Sequence, residues 1–413
     1  MDSNHSYLPI SDVVKSVSVT HKFDKPKLIF LNTSDVEAGK IINKKYLKIS
    51  DLKGQAKKTI KKDDILFSEI RPKNKRYAYV DFDDTDDYVV STKLMVLRKF
   101  NDKVDNKYLF YFLTNEKMLS ILQSRAENRI GSFPQITFDL LSEYHIRVPE
   151  LSHQQKISGL LSDIDLKIEL NNKINSELEA LAKLIYDYWF VQFDFPNENG
   201  KPYKSSGGKM VWSEELKRNI PLGWKVTTLA NITDVSTEQM NPVDFPRKYF
   251  KHYSIPAFDQ TGTYNIEKGE EIKSNKFLIT AKDVLVSKLN PWFNRVIYST
   301  DDEDLISSTE FVIWRTNNIA IKNYLYMIAR DRSFIAYCTL SASGTSNSHK
   351  RVNPHVMMKY QTVFDRVTAE RFGNILGSTI KMYEKNKAES QTLSELRDWL
   401  LPMLMNGQVK ITD

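Results

Sequence analysis

The chain repeats itself, and that constrains its fold more than any other feature. Asp64-Ile-Leu-Phe-Ser-Glu-Ile-Arg-Pro72 returns as Asp283-Val-Leu-Val-Ser-Lys-Leu-Asn-Pro291, an offset of 219. Val90-Ser91-Thr92 through Arg98 returns as Ser307-Ser308-Thr309 through Arg315. Asn106-Lys107-Tyr108-Leu109 is echoed by Lys322-Asn323-Tyr324-Leu325, and Gly131 by Gly344. Leu178, Leu181 and Ile185 match Leu393, Leu396 and Leu400 at an offset of 215. The order is kept and the offset drifts only by loop-sized steps, so the halves are copies.

Each copy has two parts. The first, 1–150 or 209–366, mixes β-rich runs such as Tyr88-Val-Val-Ser-Thr-Lys-Leu-Met-Val-Leu97 with shorter helical patterns and polar loops. The second, 151–190 or 367–406, is one long helix. Residues 152–190 contain no proline and only Gly159, and the later helical pattern runs to Leu401, where Pro402 marks an end. Between the copies, 191–208 is rich in turn formers, yet its aromatics suggest that it packs down. A tail, 407–413, follows.

Both helices fit a heptad. Ile157, Ile164, Asn171, Leu178 and Ile185 fall seven apart, with Leu160, Lys167, Ile174, Leu181 and Tyr188 three residues after each. The same frame gives Phe372, Thr379, Asn386, Leu393 and Leu400, with Ile375, Met382, Glu389, Leu396 and Met403. Such a seam buries itself against another helix, and the nearest candidate is its own repeat partner. The other arrangement is two helices each docked on its own globular part. Asn171 and Asn386 share one slot, where an amide fixes register because a shifted pairing leaves it unsatisfied.

The composition, 41% hydrophobic and 27% charged, is that of a folded protein. The polar N-terminus carries no secretory h-region, no stretch approaches the ~18 apolar residues of a membrane span, and the single Cys338 excludes internal disulfides and Cys-based zinc sites. A cytoplasmic protein is expected. Net charge is +7, and from Lys40 to Arg76 there are 13 Lys/Arg against four Asp/Glu. A phosphate backbone suits such a patch, and so does plain solvation.

Catalytic motifs fail on inspection. Asn290-Pro291-Trp292-Phe293 resembles the loop by which adenine methyltransferases hold an amine, but no Gly-x-Gly turn for S-adenosylmethionine exists anywhere. Ser205-Ser-Gly-Gly-Lys209 lacks the first glycine and the Ser/Thr of a phosphate loop. Asp81-Phe-Asp-Asp-Thr-Asp-Asp87 lacks the glycine and glutamate of a calcium loop, and like Asp301-Asp-Glu-Asp304 it reads as a hairpin turn. No metal site is expected. Glu69-Ile-Arg71 is replaced by Lys288-Leu-Asn290 in the copy, which argues against a duplicated nuclease centre.

What remains suits reading rather than cutting. Gln55, Lys57 and Lys58, with Arg71, Lys73, Asn74, Lys75 and Arg76, bracket the first shared strand and offer phosphate donors and base-edge readers. Ser287, Lys288, Asn290 and Arg295 hold the same place in the copy. The loops Arg129-Ile-Gly-Ser132 and Ser343-Gly-Thr-Ser-Asn-Ser-His-Lys-Arg351 also correspond, and Asn347, His349, Lys350 and Arg351 join the candidates.

At these residues the sequence resembles the DNA-specificity subunits of Type I restriction-modification systems over essentially its whole length. Tyr186-Asp-Tyr-Trp-Phe-Val-Gln-Phe-Asp-Phe-Pro196 through Ser205-Ser-Gly-Gly-Lys-Met-Val-Trp212, Ile255-Pro-Ala-Phe-Asp-Gln-Thr-Gly262, and Gly54-Gln-Ala-Lys-Lys58 with Ile65-Leu-Phe-Ser-Glu-Ile-Arg-Pro72 carry the likeness. It implies an α+β fold: two globular target-recognition domains, each followed by a long helix, the helices pairing as an antiparallel coiled coil with pseudo-two-fold symmetry. It implies a bipartite duplex DNA target, one half read by each domain. It also implies two methyltransferase subunits that bring S-adenosylmethionine and methylate adenine, and two ATP- and magnesium-dependent motor-nuclease subunits. The chain itself would carry no cofactor and no catalytic residue. The competing readings are a helical scaffold with an incidental basic patch and, further off, an enzyme acting on DNA.

Overall fold

The computed structural model describes residues 6–52, 54–128, 134–344, 349–409 and 411. It divides into two compact units, 1–168 with 392–413, and 169–391. Among the described residues no helix is long and apolar enough to cross a membrane.

The first unit is built on two four-stranded sheets. One runs Val14–Ser16, Leu94–Lys99, Ile65–Ser68, Tyr77–Tyr79, all antiparallel. The other runs Tyr46–Lys48, Lys27–Leu31, Tyr88–Ser91, Ala56–Lys58, with a parallel pair at its centre. Ile65-Leu-Phe67 and Leu94-Met-Val-Leu97 are continuous apolar runs because both faces of their strands are covered. Ser6–Pro9 pairs with His145–Val148 where the chain enters the long helix.

The second unit repeats this wiring. Asp234–Ser236, Phe311–Arg315, Asp283–Ser287 and Val296–Tyr298 copy the first sheet. Asn265–Lys268, Tyr249–Tyr253, Leu305–Ser307 and Lys276–Leu278 copy the second, parallel pair included. Lys225–Thr228 pairs with Gln361–Phe364. The hairpin Met210–Ser213/Arg218–Pro221 is this unit's own. Trp189 and Phe190, in the last turn of the long helix, and Phe193 and Phe195, at the start of the connector, are buried around Trp224, Tyr324 and Phe372.

The long helices are Leu151–Tyr186, closed by a π turn at Asp187–Val191, and Arg366–Asn406. Pro402 does not end the second helix but lies inside it. Four residues from the terminus, its ring forfeits only the bond to the carbonyl of residue 398. The helices pair antiparallel. In the first unit Arg397 donates to Asp165 at 2.7 Å; in the second Asn171 donates to Glu389 at 2.8 Å, Asn386 to Asn175 at 3.0 Å, and Asn175 to the Tyr383 carbonyl at 3.1 Å. Partner numbers fall along one helix as they rise along the other.

One half of the expected seam is displaced by a residue. Ile157, Ile164, Asn171 and Phe372 are buried as the heptad predicts. The accompanying row is Leu161, Asn175, Ala182 and Trp189, with Leu376 and Leu404 on the other helix, whereas Leu160, Leu181, Tyr188, Ile375, Met382 and Leu396 are exposed. Apolarity favoured the wrong row, because the true one places a polar Asn175 and a small Ala182 at the contact.

Candidate nucleic-acid interface

Each unit presents the same rigid turn between two strands of its first sheet. In the first unit it spans Ser68 to Arg76, in the second Ser287 to Arg295. Ser68 Oγ accepts from the Ile70 amide at 3.1 Å and Ser287 Oγ from Leu289 at 3.2 Å. A short helical turn follows at Pro72–Asn74 and Pro291–Phe293, flanked by left-handed residues: Arg71 (φ 47°) and Lys75 (φ 54°), then Asn290 (φ 46°) and Asn294 (φ 48°). A returning chain clamps each turn. The Arg71 amide donates to Pro134 O at 3.0 Å, and the Asn290 amide to Lys350 O at 2.7 Å. The 288–295 and 349–351 clusters therefore come together.

In the first unit a second loop joins the same place. Thr92 N donates to Gln55 O at 3.0 Å and Glu69 N to Lys93 O at 3.3 Å, so the turn at 92–93 links Gln55 to the Arg71 loop. Gln55, Lys57, Arg71, Lys73 and Asn74 are exposed along this run, and in the second unit His349 is exposed while Lys288 and Lys350 are partly so. Lys75 and Arg76 are half-buried, Lys75 against Glu116 and Arg76 against Glu37 at 3.3 Å. Arg351, though exposed, is held by Glu310 through bonds of 2.9 and 3.1 Å.

Four expected readers face inward and are held by protein partners rather than presented at the surface. Lys58 is buried and donates to Thr92 O at 3.2 Å and Leu94 O at 2.8 Å; burial lowers its pKa, and its work is to hold the linking turn. Arg295 is buried on a bidentate bond to Asp259. Ser287 is consumed by its own turn, and Asn290 Oδ1 accepts from Lys350 N at 3.0 Å. Asn347 and the Arg129–Ser132 loop lie outside the described residues.

The acidic runs are anchors rather than free turns. Asp87 holds Lys25 and Tyr46, Asp302 holds Lys251 at 2.7 Å, and Asp304 holds Lys248. Trp292 and Phe293, which the sequence offers only as part of a failed methyltransferase loop, sit at the tip of the second turn and are exposed. The repeat alignment carries a signal for them, since it sets them opposite Lys73 and Asn74.

A family model described as Type I restriction modification DNA specificity domain matches residues 10–180. The chain is 29% identical to the Type I restriction enzyme HindI specificity subunit of Haemophilus influenzae, over 97% of this chain and 98% of that protein. It is 24% identical to the MjaIX specificity subunit of Methanocaldococcus jannaschii, over 76% of this chain and 71% of that one. The crystal structure of a Type I restriction-modification system S subunit from M. genitalium shares the fold, with a TM-score of 0.59 at 15% identity over 100% of this chain and 98% of that one.

Proposed function

We propose that this chain is a DNA-specificity subunit of a Type I restriction-modification system and reads a two-part duplex target with one recognition domain per half-site. Residues 1–150 and 209–366 are the readers and the long helices are the spacer between them. The supporting observation is the duplicated turn. Two copies of one rigid scaffold present different exposed side chains, Lys73 and Asn74 in one, Trp292 and Phe293 in the other. A shared scaffold with divergent tips suits two readers of unlike sequences. The cations beside them supply phosphate contacts that position each reader but carry no sequence information.

The chain contributes no catalysis and binds no cofactor in this account. Two methyltransferase subunits bring S-adenosylmethionine for adenine methylation, and two motor-nuclease subunits bring ATP and magnesium, in the cytoplasm. The test is a titration of the chain, alone and with its methyltransferase partner, against S-adenosylmethionine and against duplex DNA at several salt concentrations. Salt-dependent duplex binding is expected, with cofactor binding only when the partner is present. Stoichiometric cofactor binding by the chain alone would overturn the non-catalytic assignment. A chain and complex that both ignore DNA would favour a scaffold.

A further inference from the structure

The sequence of the second turn, Asn290-Pro291-Trp292-Phe293, serves no methyltransferase chemistry here, and folding does not call for its aromatics. The first unit builds the same turn, with the same pair of left-handed residues, using Lys73 and Asn74 at the two positions. Trp292 is 38% exposed and Phe293 59%, so two large rings face solvent on a scaffold that tolerates polar residues.

The rings are also held ready. Their centroids lie 5.9 Å apart, and the Arg295 guanidinium sits 4.6 Å from the Phe293 centroid. Arg295 is itself immobilised by the bidentate bond to Asp259 and by the Leu289 carbonyl at 3.3 Å. The Pro291 ring stiffens the approach, and the turn is tied through Asn290 to the segment carrying His349 and Lys350. Rigid exposed aromatics beside cationic side chains match the requirements of base stacking, where the ring takes the base face and the cations take the backbone.

We propose that Trp292 and Phe293 form an apolar wedge by which the second unit stacks on, and opens, one base step of its half-site in duplex DNA. The first unit engages its own half-site through the polar Lys73 and Asn74 tip. The two half-sites are therefore read by different physics: hydrogen bonds and charge in one, stacking and deformability in the other. This rests on the DNA-reading role proposed above.

The test uses the assembled complex with its methyltransferase partner. The probe is a duplex carrying the motif found by mapping methylated adenines in expressing cells, with 2-aminopurine placed at successive positions. Wild type should brighten the probe at one step, in one half-site only. W292A/F293A should lose that brightening and bind roughly 5- to 150-fold more weakly, the range of one lost base–aromatic stack. Its salt slope should not change, because no cation is removed. W292K/F293N installs the tip that the first unit already folds with, so it guards against misfolding; it should also lose the brightening while steepening the salt slope by about one phosphate contact. W292F/F293Y should keep it. Unchanged affinity in W292A/F293A, or brightening that persists, overturns the wedge. So does loss of the methyltransferase subunit with the probe unaffected, which would make the tip a protein contact. A wild-type complex with no salt-dependent binding to the motif duplex overturns the DNA-reading role as well.

Discussion

Arg98 closes on the fully buried carboxylate of Asp64 through two bonds of 2.7 Å, and the second copy repeats the arrangement with Arg315 on Asp283 at 2.7 and 2.8 Å. Each carboxylate also accepts from the amide three residues earlier, Lys61 or Thr280, at 2.7 or 2.8 Å. One ion pair thus ties the first shared strand to its neighbour and caps the preceding turn. This explains why Asp and Arg persist in both copies while the intervening tips diverge. It also yields the first prediction. Asp283→Ala should destabilise the second unit by about 3 kcal/mol, the low end for stranding a buried partner because the guanidinium is partly solvated. Asp64→Ala should do the same to the first. Urea unfolding followed by hydrogen exchange in each unit reads this out, and a cost below about 1 kcal/mol would contradict it.

Neighbouring lysines on one strand should behave oppositely. Lys57 is exposed, whereas Lys58 is buried on two carbonyls. Lys57→Ala should leave the melting temperature unchanged and flatten the salt dependence of duplex binding by about one phosphate contact. Lys58→Ala should lower the melting temperature, because the Thr92 and Leu94 carbonyls lose a donor. Salt titrations and thermal melts on both variants separate the roles.

Lys322 gives the second unit a pH dependence. It is buried on the carbonyls of Ala281 and Ser299, both at 2.6 Å, with its ammonium 3.6 Å from the Tyr298 ring centroid. Burial pulls its pKa down to about 7. The unfolded chain, with an ordinary lysine pKa near 10.4, binds the proton more tightly, so stability should rise with pH from about 7 to about 10. Lys322→Met should abolish that rise and cost stability by leaving two buried acceptors unpaired. Melts between pH 6 and 10 check both.

The helix pair invites a change of length. Asn171 with Glu389 and Asn175 with Asn386 bracket Asn172 and Lys387 on the paired helices. Inserting one heptad after Asn172 and another after Lys387 keeps these bonds and the seam in phase, and adds ~10.5 Å at ~1.5 Å per residue. The unread gap in the methylated motif should widen by about three base pairs at ~3.4 Å each, with weaker methylation because those pairs also rotate one half-site. A four-residue insertion in one helix alone should abolish methylation. An unchanged gap in the matched variant would mean that the helices do not set it.

Much of the fold was legible because its physics is local and duplicated. Asp64 and Asp283 flagged the repeat, and Ile157, Ile164 and Phe372 marked one row of the seam. Its second row was missed because Leu160 and Leu181 look more like contact residues than Asn175 and Ala182 do. The site was less legible because a lysine or arginine reads the same whether it faces water or a carbonyl. Strand alternation from the buried Ala56 would have turned Lys58 inward and Lys57 outward. Nothing local marks Arg295 as buried, since its partner Asp259 comes from a distant helix. Trp292 and Phe293 stood out in the sequence only as part of a failed methyltransferase loop, and their place as an exposed tip emerged once the two turns proved to share one backbone.

Independent reading of each half-site by its own globular part is open to a direct test. The most direct measurement replaces residues 1–150 with the equivalent segment of a specificity subunit of known target and maps methylated adenines genome-wide in cells expressing the complex. The expected motif has one half that of the donor, while the other half and the gap remain those of the parent. A motif changed in both halves, or in neither, would contradict it.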